Sequence, residues 1–252
     1  MSDGPAIAAL AVLGLLVGSF LNVVVHRLPR GESLLRPRSR CVGCGTQIAA
    51  YDNVPVVSWL VLRGRCRHCG EPIAARYPLI EALTGAAFAA VAAVAGLDAE
   101  LSLELPFAAL MIAVAAIDLE HRIVPNRLLA PAALWAVAAW AVVDPSFLAE
   151  ALAAGAGAFA FLLLAALAYP AGMGMGDVKL AGAMGLYLGL SVVPALLTAF
   201  VAGSVVGIAM IVREGRDARK AGVPFAPFLA LGGLVGLLAG DELISLYADR
   251  FL

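Results

Sequence analysis
The sequence predicts an all-α, polytopic membrane protein of about eight transmembrane helices with one small soluble loop. Three observations lead there. Of the 252 residues, 62% are hydrophobic and only 14% charged, whereas soluble domains carry about a quarter charged residues. Mean hydropathy is +0.95, which excludes a water-soluble globular enzyme and a disordered chain alike. Aromatic residues make up only 7%, so Ala, Leu, Val and Gly supply the apolar bulk. Small residues of this kind let membrane helices approach closely where no hydrophobic effect drives them together.

The elements follow in order. A first span is expected at 5–25; it lacks a basic leading region and runs into His26-Arg27, unlike a removable signal peptide. The loop 26–78 follows as the only sizeable soluble piece. Further spans are expected at 79–96, 101–117, 128–143, 147–169, 178–190, 192–212 and 225–240. Turn chemistry separates them: Asp98 and Glu100, Pro125-Asn126, Asp144-Pro145-Ser146, the glycine run 172–176, and Arg213 through Lys220. The stretch 178–212 is too long for one span and short for two, and Gly189 with Pro194 argues for splitting it. The domains expected are therefore 1–25, a first helix; 26–78, the soluble loop; and 79–252, a helical bundle.

Charge supports the count of eight. Every Lys and Arg except Arg250 then falls on one side, while Asp3, Asp98, Glu100, Glu104, Asp144, Glu150, Asp241, Glu242 and Asp249 fall on the other. The positive-inside rule puts the loop in the cytoplasm and both termini outside.

Within the loop, Cys41-Val42-Gly43-Cys44-Gly45 and Cys66-Arg67-His68-Cys69-Gly70 repeat the pattern Cys-x-x-Cys-Gly-x-x-Ile. Two such knuckles suit a tetrahedral zinc ion held by four thiolates, with glycine permitting the tight turn beneath. A piece of roughly fifty residues buries little core, so a structural metal is a fitting staple. The expected loop domain is thus zinc-ribbon-like, with Cys41, Cys44, Cys66 and Cys69 as ligands. A reducing compartment argues against disulfides. A membrane thiol oxidoreductase, with two exchanging pairs, is the rival reading of the same four residues.

Acids at membrane edges are costly and point to function. Asp118 ends the third expected span, and Asp177 opens the sixth after Gly174-Met175-Gly176. The end of an odd span and the start of an even one share a boundary, so both carboxylates can meet at the cytoplasmic face. Such a pair holds one proton between them, as aspartic proteolysis requires. Glu81, one turn into the second span, is a further partly buried acid. The competing reading of the pair is an ion-coupled transporter, although coupling ions usually bind nearer the midplane and no inverted repeat is evident.

These residues resemble the bacterial prepilin peptidases, the type IV leader peptidases among the Gly-x-Gly-Asp intramembrane aspartyl proteases. The resemblance runs from Gly18-Ser19-Phe20-Leu21-Asn22 through both cysteine knuckles and Asp52-Asn53-Val54-Pro55. It continues through Arg76-Tyr77-Pro78-Leu79-Ile80-Glu81 and Asp118, and closes with Gly174-Met175-Gly176-Asp177-Val178-Lys179. It implies a catalytic pair at Asp118 and Asp177. The implied substrates are type IV prepilins and type II secretion pseudopilins, whose basic leader is cut at the cytoplasmic face of the inner membrane. Cleavage in the family usually precedes a Phe. Members with the cysteine loop generally also methylate the new amino terminus from S-adenosylmethionine; Asp52, Asn53 and Glu81 are the candidates for binding that donor. Membrane lipid is the surrounding medium, and no nucleic-acid partner is expected.

Overall fold
Lipid offers the backbone no hydrogen-bond partner, so an apolar chain of this kind satisfies its amides internally, as helices. In the computed structural model, which describes residues 3–169, 172–214 and 223–251, the described residues form helices and turns with only two isolated β-bridges. Arg216, Arg219 and Lys220, assigned to the basic loops by the charge pattern, lie outside the described residues. Among the described residues, seven helical stretches are long and apolar enough to cross a membrane. The chain divides into two compact units at Gly96–Leu97.

The first unit is a helical hairpin that carries the cysteine loop. Its long helices are α1 (Gly4–Arg27) and α3 (Arg76–Ala95), with the short α2 (Val57–Val61) inside the loop. The hairpin is tight because α1 presents Gly14 and Gly18, four residues apart on one face. A Cβ at Gly14 would lie 2.6 Å from the Thr84 carbonyl oxygen, and one at Gly18 only 2.7 Å from the Glu81 Cα. Helix α3 packs along α1 over its length. The reason is this seam of small residues, which hydropathy alone does not reveal.

The second unit comprises α4 (Leu101–His121), α5 (Asn126–Val143), α6 (Leu148–Ala168), α7 (Met175–Leu188), α8 (Val192–Glu214) and α9 (Ala226–Phe251). The run Met175–Arg213 satisfies the length and hydropathy tests as one stretch of 39 residues. A straight helix of that length would reach about 58 Å, about twice the hydrocarbon thickness. It breaks at the 3₁₀ turn Gly189–Ser191, where Gly189 takes φ 54°. Contacts along α9 fix the direction of α8. Gly240 faces Ser191, Gly232 faces Ala195 and Ala199, and Gly203 faces Phe228, so α8 runs back along α9. The split expected at 190–192 therefore falls at this turn, and the 39-residue stretch doubles back. A phenol group ties α7 to the neighbouring helix: Tyr187 Oη donates to the Ala132 carbonyl at 2.8 Å.

Candidate functional site
The two aspartates lie at one end of the second unit. Helix α4 stops just beyond Asp118 because Arg122 turns left-handed, φ 54°, and its N–H closes on the Asp118 carbonyl at 2.9 Å. The chain then reverses through Ile123, Val124 and Pro125 into α5. Helix α7 begins from Gly174, extended at the N-cap. A Cβ on Gly176 would meet Val124 Cβ at 2.8 Å. Only a hydrogen there lets the first turn of α7 lie against the segment that follows Asp118.

The carboxylates are thereby close enough to interact electrostatically. Asp118 is 6% exposed, and Asp177 is half-buried. Asp118 Oδ2 accepts the Ala226 N–H at 3.2 Å; that amide opens α9, where helical N–H groups lack partners within the helix. The Asp177 carboxylate takes the Gly174 N–H. Lys179 Nζ donates to Asn126 Oδ1 at 3.1 Å, tying α7 to the start of α5. Two carboxylates so placed can serve together as general base and general acid. Nothing in the sequence flags Ala226, whose contribution is a backbone donor. His121 and Glu120 follow on α4 and contact each other at 3.7 Å.

The cysteines come together in the first unit. Their backbones repeat at an offset of 25 residues. Cys41 N–H bonds to Thr46 and Gly45 N–H to Cys41; Cys66 N–H bonds to Glu71 and Gly70 N–H to Cys66. Gly45 and Gly70 take φ 71° and 73°, a conformation glycine adopts without penalty. The four sulfurs lie within 4.8 Å of one another, with Cys41 and Cys69 Sγ 3.7 Å apart. A tetrahedron of bonds about 2.3 Å long has edges of about 3.8 Å, so this set fits a metal ion. Crowding polarises the thiols. Hydrogen bonds with the Thr46 hydroxyl and amide draw Cys44 down to about 6. At Cys69 the Glu71 backbone pulls down, but desolvation and the other three thiols push it up to about 12. Four anions cannot share this space without a cation, and a bound divalent ion would ionise them together.

Above the α1–α3 hairpin, the loop encloses a cavity of about 480 Å³, within the range of small-molecule sites. Asp52, Asn53 and Glu81 all line it. Both Asp52 oxygens are engaged by Arg67, at 2.6–3.1 Å, which clamps the turn Ala50–Asp52 to the second knuckle. Glu81, 9% exposed, accepts the Val56 N–H at 2.7 Å and the Ser19 hydroxyl. Val56 stands at φ 61°, ψ −50°, with Val57 N–H bonded to the Pro55 carbonyl at 2.6 Å. This is the rarer, strained hand of γ-turn, and a β-branched residue there is a marked outlier. Strain of that kind gathers at ligand sites. The sequence singles out Glu81 but not the turn it holds.

A helical membrane unit with two aspartates at one end, joined to a unit with four converging thiols, defines a class: a multi-pass membrane protein. Residues 12–95 match the Bacterial Peptidase A24 N-terminal domain, and residues 105–212 match the Type IV leader peptidase family. The chain belongs to the type IV leader peptidase family. A "Prepilin leader peptidase/N-methyltransferase" of Burkholderia pseudomallei (strain 1026b) is 40% identical over 272 residues, covering 95% of this chain and 87% of that protein. One of Bacillus subtilis (strain 168) is 34% identical over 249 residues, 98% and 99% of the two chains. One of Myxococcus xanthus (strain DK1622) is 41% identical over 220 residues, 84% of this chain and 66% of that protein. No solved structure gives a significant match. These relatives lend no support to a transporter or a thiol oxidoreductase.

Proposed function
We propose that the chain cuts the basic leader from prepilins and pseudopilins and then N-methylates the new amino terminus from S-adenosylmethionine. One observation carries the peptidase reading: Asp118 and Asp177, 59 positions apart in sequence, approach each other across Gly176 and Val124. One carboxylate takes a proton from water as it attacks the scissile carbonyl. Its protonated partner donates to the carbonyl oxygen, and the tetrahedral intermediate collapses with release of the amine.

The basic loops argue for a bacterial inner-membrane protein with both sites in the cytoplasm and both termini outside. In this reading the loop 26–78 is a methyltransferase region borne on α1 and α3, and 97–252 carries the peptidase. Cys41, Cys44, Cys66 and Cys69 would hold a structural zinc ion that fixes the loop over the cavity. The cavity would take the methyl donor, and Glu81 and Asn53, which line it, are candidates for holding it. Asp52 there acts mainly by holding Arg67. S-adenosylmethionine would supply an electrophilic methyl group; the chain's part is to bind and orient it beside the incoming amine.

Mass spectrometry of a prepilin peptide incubated with the protein, with and without S-adenosylmethionine, tests both halves. A leader-sized loss in both samples, plus 14 mass units (roughly one methyl for hydrogen) only with the donor, is expected from amine methylation. An intact peptide would overturn the proteolytic reading.

A further inference from the structure
Asn22 is buried in α1, 3% exposed, and lines the cavity beside Ser19 and Glu81. Its amide nitrogen donates to the Gly18 and Tyr77 carbonyls, at 3.3 and 3.1 Å. Two carbonyl acceptors on one side fix the amide orientation, since the flipped form would set oxygen against oxygen. The Oδ1 atom is therefore an acceptor, and it is buried with no hydrogen-bond partner among the described residues. Such an atom pays its full desolvation cost unless a donor arrives.

Glu81 adds a buried carboxylate to the same floor. Its two hydrogen bonds come from neutral groups, the Val56 amide and the Ser19 hydroxyl. An orphan acceptor and a buried carboxylate lining one cavity ask for a cation that also carries N–H donors. We infer that Asn22 Oδ1 and Glu81 form a subsite for a primary ammonium group at the floor of the cavity. The subsite rests on the methyl-transfer reading, which supplies two sources of that group: the amino-acid end of the methyl donor and the newly cut amino terminus. Asn22 gives direction through one hydrogen bond, and Glu81 gives the charge.

The test uses the full chain in detergent and isothermal titration with paired probes. The first pair is S-adenosylhomocysteine with a free or an acetylated amine. The second is a peptide beginning at the mature Phe, free or acetylated. The free amine of at least one pair should bind about tenfold or more tightly than its acetylated form, as a charge-assisted hydrogen bond would give. Discrimination within the first pair assigns the subsite to the methyl donor, and within the second to the pilin amine. Glu81→Gln keeps an oxygen for the Val56 N–H and should erase the discrimination, as should Asn22→Leu. Methyl transfer by the wild type with no discrimination in either pair would overturn the subsite alone. Absence of both transfer and binding would overturn the methyl-transfer reading together with it.

Discussion
The thiol cluster and the aspartate pair gather reactive groups by opposite routes. Each cysteine knuckle closes on itself, Cys41 N–H to Thr46 and Cys66 N–H to Glu71, and the two copies then face each other. Most of that geometry is written within Cys41–Thr46 and Cys66–Glu71. The aspartates have no such local frame. Their approach depends on a left-handed Arg122, a hydrogen at Gly176 and the start of α9, drawn from three distant stretches. A locally built site breaks by losing a ligand, whereas a packed site also breaks by a methyl group on a residue that does no chemistry itself.

That contrast can be broken in graded steps. The largest effect is expected at the pair itself. Asp118→Asn should lower prepilin cleavage by on the order of 10³-fold or more, since an amide neither activates water nor shares the proton. Metal content should not change, and both quantities are read on one purified sample. Cys41→Ser should lose the metal and loosen the loop while α4–α9 keep their helicity. Metal analysis with hydrogen exchange would show protection falling in residues 39–73 and persisting beyond Leu101, because ligand loss is a folding defect in a piece this small.

Gly176→Val sharpens the comparison. A Cβ there meets Val124 at 2.8 Å, so α7 must move, and a displacement near 1 Å costs about 10²-fold in rate. Cleavage assays should show that loss in kcat with an intact metal site. The smallest effect concerns Asp52. The Arg67 guanidinium, through its hydrogen bonds, holds the Asp52 carboxyl below the usual carboxylate range. A depressed folded-state value stabilises above the unfolded value, about 3.9, and that contribution fades as pH falls through the folded value. Asp52→Asn should therefore modestly raise amide exchange at 50–53 near neutrality, with the difference from wild type shrinking below about pH 4.

How much is legible in the sequence follows the same division. The cysteine repeat and the break at Gly189–Ser191 can be read because spacing and turn chemistry act locally. Asp118 and Asp177 can be named because an acid at a membrane edge is costly, and the family resemblance joins them. The seam of Gly14 and Gly18, which brings α3 against α1, escapes such a reading. A hydropathy pattern records which residues face lipid but not which helix they face. Ala226 and the strained turn at Val56 are also hidden, since a backbone N–H and a φ angle leave no residue-type signature there. The orphan oxygen of Asn22 becomes visible only once its amide hydrogens have found their carbonyls.

The most direct test of the central claim, two sites on two units, uses Asp177→Asn protein, S-adenosylmethionine and two peptides, one full-length and one already cut. Mass spectrometry should find the full-length peptide untouched and the pre-cut one methylated at its amino terminus. Cleavage of the full-length peptide by well-folded Asp177→Asn protein would contradict the account.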